Sequence, residues 1–170
     1  DLGQPVVVEN VGGAGGTLAR LVREGAAVAL VLVTSGDAGG YEAEGQERMT
    51  EVRQAEQRAA AAALGIEDVT FLSGFADGHV REGEGLVREV VAAIRRLPKD
   101  MRPKRLYGCE VWRDLDWMTD ADKVAFDTSA HENLQAALLG VFDSQIAGGK
   151  RYDLATLGRR RAHATYHASH

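Results

Sequence analysis

The chain has 170 residues, enough for one domain with a substantial core, and its net charge of −5 gives no electrostatic basis for nucleic-acid binding. Its one cysteine, Cys109, excludes an internal disulfide and fits a reducing compartment. No apolar stretch reaches the ~18 residues of a membrane span, and no basic segment followed by an apolar run predicts a signal peptide. We therefore expect one cytoplasmic domain over residues 1–170 without a membrane partner.

The first predicted elements are a strand, a glycine turn, a helix and a second strand. Val6–Val8 is a short apolar run that is typical of a buried parallel strand. The glycines of Gly12–Gly16 predict a turn, with Thr17 at the start of a helix that Gly25 ends. The nearly continuous apolar run Ala26–Thr34 predicts a strand that is buried on both faces. The length of chain between the strands at Val6–Val8 and Ala26–Thr34 suits a right-handed crossover, so we expect these two strands to pair in parallel.

Helices and strands continue to alternate after a glycine-rich loop that follows the second strand. In chain order the patterns predict a helix over Glu47–Leu64, a strand over Val69–Leu72, a helix over Leu86–Leu97, a strand over Arg105–Trp112, and helices over His131–Gln145 and Tyr152–Tyr166. This alternation predicts an α/β domain with a parallel sheet.

Five short motifs stand in the order in which one known family carries them. They are Gly15-Gly16-Thr17-Leu18-Ala19-Arg20-Leu21, Thr34-Ser35-Gly36-Asp37, Arg53-Gln54-Ala55-Glu56, Ala63-Leu64-Gly65-Ile66 and Ala76-Asp77-Gly78. With them the chain resembles the LmbE-like / PIG-L family of metal-dependent N-acetylglucosaminyl deacetylases. A later block, from residues 106–112 through 140–146, resembles one bacterial branch of that family. The resemblance implies a Rossmann-like parallel sheet with helices on both faces.

The resemblance also implies a reaction, which is hydrolysis of the N-acetyl amide of a glucosamine-containing small molecule. In the family, a zinc-bound water attacks the amide carbonyl while an aspartate acts as general base. The substrate class implied for this chain is therefore a small amino sugar, and the implied cofactor is zinc.

The chain departs from the family at both of the family's metal motifs. Where an Ala-His-Pro-Asp-Asp segment is expected, residues 5–12 read Pro-Val-Val-Val-Glu-Asn-Val-Gly. A His-Pro-Asp-His motif is expected between Ile94 and Leu106, and no histidine stands there. We therefore expect a sheet that is shortened in the middle and at the C-terminus, no metal ligand or catalytic residue at the family's positions, and impaired or absent deacetylation.

The N-terminal segment resembles a different family. Leu2-Gly3-Gln4-Pro5-Val6-Val7-Val8-Glu9-Asn10, with Gly13-Ala14-Gly15-Gly16, is similar to part of the tripartite-tricarboxylate-type periplasmic solute-binding proteins, where it forms a strand and a glycine-rich ligand loop. A chimaera in which this segment replaces the metal-bearing strand end is consistent with both resemblances.

Three polar residues match positions that bind the sugar in relatives, namely Asp37, Arg53 and Asp77. Carboxylates accept hydrogen bonds from sugar hydroxyls, and a guanidinium offers paired donors. Since ligands of open α/β sheets bind beyond the carboxyl ends of the strands, we expect the three side chains to converge on one cleft. The alternatives are turn chemistry for the two aspartates, and an exposed helical pair of Arg53 with Glu56.

Two further groups of residues are candidates for weaker sites. Gly13, Gly15 and Gly16 could hold an anion in a nest of backbone N–H groups, which makes a small-ligand or anion binding module one alternative function. A non-catalytic remnant or engineered scaffold is another. His163, His167 and His170 share one face of a predicted helix and are the only replacement metal ligands that the spacing suggests, although exposed tail histidines are the favoured interpretation.

Overall fold

A computed structural model describes residues 11–36, 38, 46–81, 83–104, 117–147 and 150–168. Two parallel strands, β1 (Ala29–Leu32) and β2 (Asp68–Phe71), pair with Ala29 opposite Asp68 and Leu32 opposite Phe71. The predicted α/β class with a parallel sheet is thereby confirmed. The strands predicted over Val6–Val8 and Arg105–Trp112, and the expected pairing of the first of them, lie outside the described residues.

All four residues of β1 are buried because helices cover both faces of this strand. The helices of the described chain are α1 (Val11–Arg23), α2 (Gln46–Ala63), α3 (Glu84–Arg96), α4 (Glu132–Val141), α5 (Asp143–Ile146) and α6 (Tyr152–Ala168). Leu30 and Leu32 pack in one core with residues of α1, α2 and α4. Ala29 and Val31 face the opposite side, where they line a cleft with residues of α3.

The prediction of a glycine turn before the first helix is wrong, because α1 begins at Val11 and contains those glycines. Their role is close packing of α1 against α4. A Cβ built on Gly15 would lie 3.0 Å from Leu138 Cδ1, and one built on Gly16 would overlap the side-chain amide of Gln135. Contact with α4 therefore outweighs the poor helix propensity of glycine.

The predicted ends of the first two helices are confirmed by a shared cap geometry. Gly25 has φ +84° and Gly65 has φ +78°, a left-handed conformation that glycine adopts without steric penalty. Ala26 N donates to Leu21 O at 2.9 Å, and Ile66 N donates to Ala61 O at 2.9 Å, which is the hydrogen bond of a Schellman cap. Each glycine reverses the chain, so that the segment after each helix leads directly into a strand.

The helix predicted over His131–Gln145 is divided in the structure, with α4 ending at Val141 and α5 starting at Asp143. The break lies at Phe142, which has φ −89° and ψ 58° and is 3% exposed. Burial of this aromatic side chain in the core directs the chain out of the helical path. The helix predicted over Tyr152–Tyr166 is confirmed as α6. None of the helices in the described ranges is long and apolar enough to cross a membrane.

The packing of α1 on α4 yields a test with two helical glycines. Gly16→Ala should lower the free energy of unfolding by about 1–3 kcal/mol, because the new methyl group displaces Gln135 from its hydrogen bond to Thr128 O. Gly158→Ala in α6 meets open space and should raise the free energy of unfolding by up to about 1 kcal/mol through helix propensity. Urea denaturation of both variants measures the difference. Equal effects would contradict the close contact between α1 and α4.

Candidate active site edge

The carboxyl ends of β1 and β2 lie at the same edge of the sheet because the strands are parallel. Asp77, which follows β2, connects the two chain segments that leave this edge. Its Oδ1 accepts a hydrogen bond from Thr34 Oγ1 at 3.2 Å, and its Oδ2 accepts one from Ala38 N at 3.3 Å. Thr34 and Ala38 both follow β1, so this carboxylate holds the loop after one strand against the loop after the other.

Arg53 on α2 lies at the same edge and is buried, with 4% of its surface exposed. A Cβ built on Gly36 would be 4.0 Å from Arg53 Cγ, which places the arginine stem against the loop after β1. The neighbouring Gln54 donates from Nε2 to Ser35 Oγ at 3.4 Å and holds the same loop. Arg53 and Asp77, predicted from the sequence to converge, therefore lie at one edge of the sheet, whereas Asp37 lies outside the described residues.

Arg53 and Glu56 do not form the exposed helical pair that was the alternative interpretation. Their side chains are 4% and 12% exposed, and Arg53 Nη1 lies 3.8 Å from Glu56 Oε2, which is too long for a hydrogen bond. Glu56 instead accepts two hydrogen bonds from Ser144 at the start of α5, from the backbone N at 2.7 Å and from Oγ at 2.5 Å. The carboxylate thus joins α2 to α5.

Polar atoms remain without partners beside this carboxylate. Within the part of the chain that the structure describes, Nε and Nη1 of Arg53 are buried and have no hydrogen-bond partner, and the same is true of Gln57 Oε1 one helical turn further along α2. Buried polar groups are hydrogen-bonded in the large majority of cases, so these atoms require an explanation. A bound ligand that offers oxygen acceptors to the guanidinium would supply one.

The electrostatics of the cluster follow from burial and close charges. Burial lowers the pKa of the Arg53 guanidinium from its ordinary value, while the carboxylates of Glu56 and Asp77 act in the opposite direction. The pKa of Lys150, just before α6, is lowered by burial and then by the positive charge of Arg53. The charge of Arg53 therefore contributes to the lowered pKa of Lys150.

The remaining predicted site residues stand as follows. Gly13, Gly15 and Gly16 lie inside α1, so the prediction that they form a loop is wrong. Anion binding by their backbone N–H groups stays a prediction. His163 and His167 are on α6 at the predicted helical spacing, but the structure describes only their backbone. His170 lies outside the described residues.

The described residues of this edge do not fit a zinc ion. Across the described ranges, no group of three or more His, Cys, Asp or Glu residues is close enough to hold a metal. The two carboxylates at the edge each accept hydrogen bonds from protein groups, and both lie near the positive charge of Arg53. A zinc ion needs several free N, S or O ligands and would meet a buried guanidinium here.

Sequence reasoning missed the residues that complete the cluster from the C-terminal third of the chain, Ser144, Lys150 and Tyr152. Ser144 lies within a block that the family resemblance marked, but nothing in its pattern indicated that it donates to Glu56. Lys150 and Tyr152 flank a turn before α6, and no motif connects them with Arg53. Tertiary packing of α5 on α2, and of α6 on α4 and α5, places these residues.

Comparison with known proteins identifies the family and the fold. The model of the GlcNAc-PI de-N-acetylase family, PIG-L, matches residues 10–111, which is more than half of the chain. No curated protein matches the chain. Solved structures that share the fold include the following three, all at low identity. The N,N'-diacetylchitobiose deacetylase from Pyrococcus horikoshii, solved with an inhibitor, has a TM-score of 0.70 and 16% identity over 92% of this chain and 76% of that chain.

The other two similar structures differ in what their descriptions state. GalB, the 4-carboxy-2-hydroxymuconate hydratase from Pseudomonas putida, has a TM-score of 0.66 and 16% identity over 91% of this chain and 82% of that chain. The conserved protein TT1542 from Thermus thermophilus has a TM-score of 0.63 and 23% identity over 98% of this chain and 90% of that chain. At these identities the likeness shows a common fold, and the fold supports more than one chemistry.

The bridge between α2 and α5 can be measured directly. Glu56→Ala should lower the free energy of unfolding by about 2–3 kcal/mol, since it removes both hydrogen bonds to a charged acceptor and leaves Ser144 N without a partner. Ser144→Ala removes only the hydroxyl donor and should have a smaller effect. A double-mutant cycle by urea denaturation gives the coupling between the two side chains.

The matched control is the exposed pair of Arg20 and Glu24 on α1, whose charged atoms are 2.7 Å apart. Glu24→Ala should lower the free energy of unfolding by no more than about 1 kcal/mol, because solvent screens an exposed ion pair. A Glu56→Ala effect as small as that of Glu24→Ala would show that the bridge does not hold α5 on α2.

Proposed function

We propose that this chain, which belongs to the GlcNAc-PI de-N-acetylase (PIG-L) family, binds a small amino-sugar ligand at the edge around Arg53 and Asp77. We further propose that it does not perform the metal-dependent deacetylation of its family. The observation that carries the proposal is the buried guanidinium of Arg53, whose Nε and Nη1 find no acceptor in the described protein. A buried donor without an acceptor lowers stability, and buried groups with shifted pKa values concentrate at functional sites.

The ligand chemistry follows from the hydrogen-bonding capacity that remains at the edge. Arg53 offers donors to ring, hydroxyl or carbonyl oxygens of a sugar derivative. Asp77 receives one hydrogen bond at each oxygen from Thr34 and Ala38, and a carboxylate has a second lone pair at each oxygen. This half-buried carboxylate can therefore also accept from a sugar hydroxyl. Gln57 Oε1 is a further acceptor on the Arg53 side of α2.

The proposed loss of catalysis rests on the lack of metal ligands and of a free carboxylate base among the described residues. Metal-dependent amide hydrolysis needs a divalent ion with an open position for water, together with a carboxylate base beside it. The segment of residues 5–12 lacks the histidine and paired aspartates of the family, and Arg95–Arg105 lacks the second histidine motif. The carboxylates of the described edge are engaged by Thr34, Ala38 and Ser144. What remains is a site that can bind and orient a ligand.

Binding can be tested with N-acetylglucosamine by isothermal titration calorimetry. Arg53→Met should weaken binding at least about tenfold, because it removes charge-assisted hydrogen bonds that contribute roughly 1.5–3 kcal/mol. Arg53→Lys keeps a charge in case the apolar variant does not fold, and should also weaken binding, since it lacks the planar set of donors. The matched control is Arg58→Met on the same helix, where the guanidinium carbon lies 4.6 Å from the Phe71 ring centroid.

Arg58→Met should leave the affinity for N-acetylglucosamine unchanged. Equal affinity of wild type and both Arg53 variants would overturn the assignment of Arg53. A wild-type protein that binds no amino sugar at all would favour the alternative of a remnant or scaffold that folds without a ligand.

Catalysis is tested separately by metal content and product formation. Purified protein should carry well below one zinc per chain by elemental analysis, and it should release no acetate from N-acetylglucosamine conjugates with or without added zinc. The reason is that the described residues provide no three-ligand group. Stoichiometric zinc with acetate release would overturn the proposed loss of activity. In that case His163→Ala and His167→Ala would test whether the helical histidines hold the metal.

A further inference from the structure

Helix α3 carries apolar side chains that stay exposed in the folded chain. All of its residues are described, and Ala93 is the one among them that is buried. Val87, Val91 and Ile94 follow one another at spacings of four and three residues, so they form one stripe along the helix. Val87 is 61% exposed, and the other two side chains are half-buried. Such a stripe gains free energy when a further surface covers it.

Arginines lie along the solvent side of this stripe. Arg88 follows Val87 and Arg95 follows Ile94, so the two arginines are seven residues apart and share one side of the helix. Residues 87–102 contain five basic and two acidic side chains, although the whole chain has a net charge of −5. We call Val87, Val91, Ile94 and these two arginines the basic stripe. Two basic stripes in contact would bring their arginines together, which disfavours the pairing of α3 with a second α3.

A second exposed apolar surface carries the opposite charge. It consists of residues 117–127, which we call the acidic segment, since it contains three aspartates and one lysine. Trp117 is 67% exposed, and Val124 and Phe126 are also exposed. Arg20 of α1 anchors this segment, because its guanidinium carbon lies 5.5 Å from the centroid of the Phe126 ring and its Nη1 donates to Asp127 O at 3.3 Å. The exposed side chains therefore project from a segment that is fixed to a helix.

The two surfaces lie on opposite sides of the sheet. Helix α3 lies on the side that Ala29 and Val31 of β1 face, whereas α1 and α4 pack with Leu30 and Leu32 on the other side. The acidic segment belongs to this other side, because it contacts Arg20 on α1. One chain therefore cannot bring its acidic segment onto its own basic stripe, whereas two copies can meet head to tail.

We propose that the basic stripe of one copy binds the acidic segment of a second copy, so that the chain associates head to tail. In this contact Trp117 and Val124 lie on the apolar stripe, and the aspartates of one copy lie near the arginines of the other. A heterologous contact of this kind closes into a ring or continues as a filament. One helix and one short segment form a small interface, and small interfaces are weak and transient. The inference does not depend on the proposed function.

Sedimentation equilibrium of the full chain measures the association. The weight-average mass of wild type should rise above that of one chain as the concentration increases. Val87→Glu places a carboxylate against the acidic segment, and Trp117→Ser removes the apolar anchor, so each should weaken association at least about tenfold. Both side chains are exposed, so each variant should keep its fold, which circular dichroism verifies. The matched control is Leu154→Glu, at an exposed leucine of α6 outside both surfaces, which should leave the association unchanged.

A mixture of the two variants tests the head-to-tail geometry. Val87→Glu keeps its acidic segment, and Trp117→Ser keeps its basic stripe. Each variant alone should be close to monomeric, whereas an equimolar mixture should form a dimer through the one intact contact with wild-type affinity. Added salt should weaken this dimer, because solvent-exposed charges of opposite sign contribute to it.

Several results would overturn the proposal. One is a wild type that stays monomeric up to about 1 mM, and another is association that survives in both variants. A mixture that stays monomeric although wild type associates would show that the contact joins two identical surfaces. Binding of monomeric wild type to vesicles that contain an anionic lipid, lost in Val87→Glu, would assign the basic stripe to a lipid surface in place of a second copy.

Discussion

A buried cation at the end of a short parallel sheet is the constraint around which the C-terminal half of this chain is arranged. Arg53 loses most of its hydration on α2, and burial of an unpaired charge is among the most destabilising events in a protein. The surroundings compensate with the nearby carboxylates of Glu56 and Asp77. Each of these carboxylates also binds another part of the chain: Asp77 binds the loop after β1, and Glu56 binds the start of α5. The same two side chains therefore offset the charge of Arg53 and hold the edge together.

Close packing of α1 on α4 makes this arrangement possible. The absence of side chains at Gly15 and Gly16 allows α4 to approach α1 closely, with Leu138 and Gln135 filling the contact. The chain then breaks at the buried Phe142 and begins α5 where Ser144 reaches Glu56. A bulkier residue on α1 would move α4, and through it the start of α5, away from α2. Packing of α1 on α4 thus contributes to the geometry of the distant edge around Arg53 and Asp77.

The sequence predicted those parts of the fold in which local pattern and tertiary structure agree. The apolar run around β1 requires burial on both faces, and Gly65 permits the left-handed cap that ends α2. The start of α1 could not be predicted, because its glycines serve a contact with a distant helix and locally resemble a turn. The break at Phe142 could not be predicted either, because Gly140 is a weak signal and the burial of Phe142 in the core is seen only in the folded chain.

The residues of the candidate site differ in the same way: some are marked by a local motif, and others are placed only by tertiary packing. Arg53 and Asp77 could be named from family motifs and from the rule that parallel strands end at one edge. Both residues contact the loop after β1, and their role in ligand binding stays a prediction that the titrations test. Ser144 and Lys150 belong to elements that reach the edge only through tertiary packing, and their own segments carry no signal of it.

The boundary of the family match has a physical meaning in this chain. The match ends at residue 111, so it contains the strands, α2 and Asp77, whereas Ser144 and Lys150 lie beyond it. Two structures that share the fold are described as a deacetylase and a hydratase, so the fold alone does not fix the chemistry. Contacts from outside the matched region complete the surroundings of Arg53, since Ser144 donates to Glu56 from the start of α5. In this chain the start of α5 fixes one of the two carboxylates that offset the charge of the buried arginine.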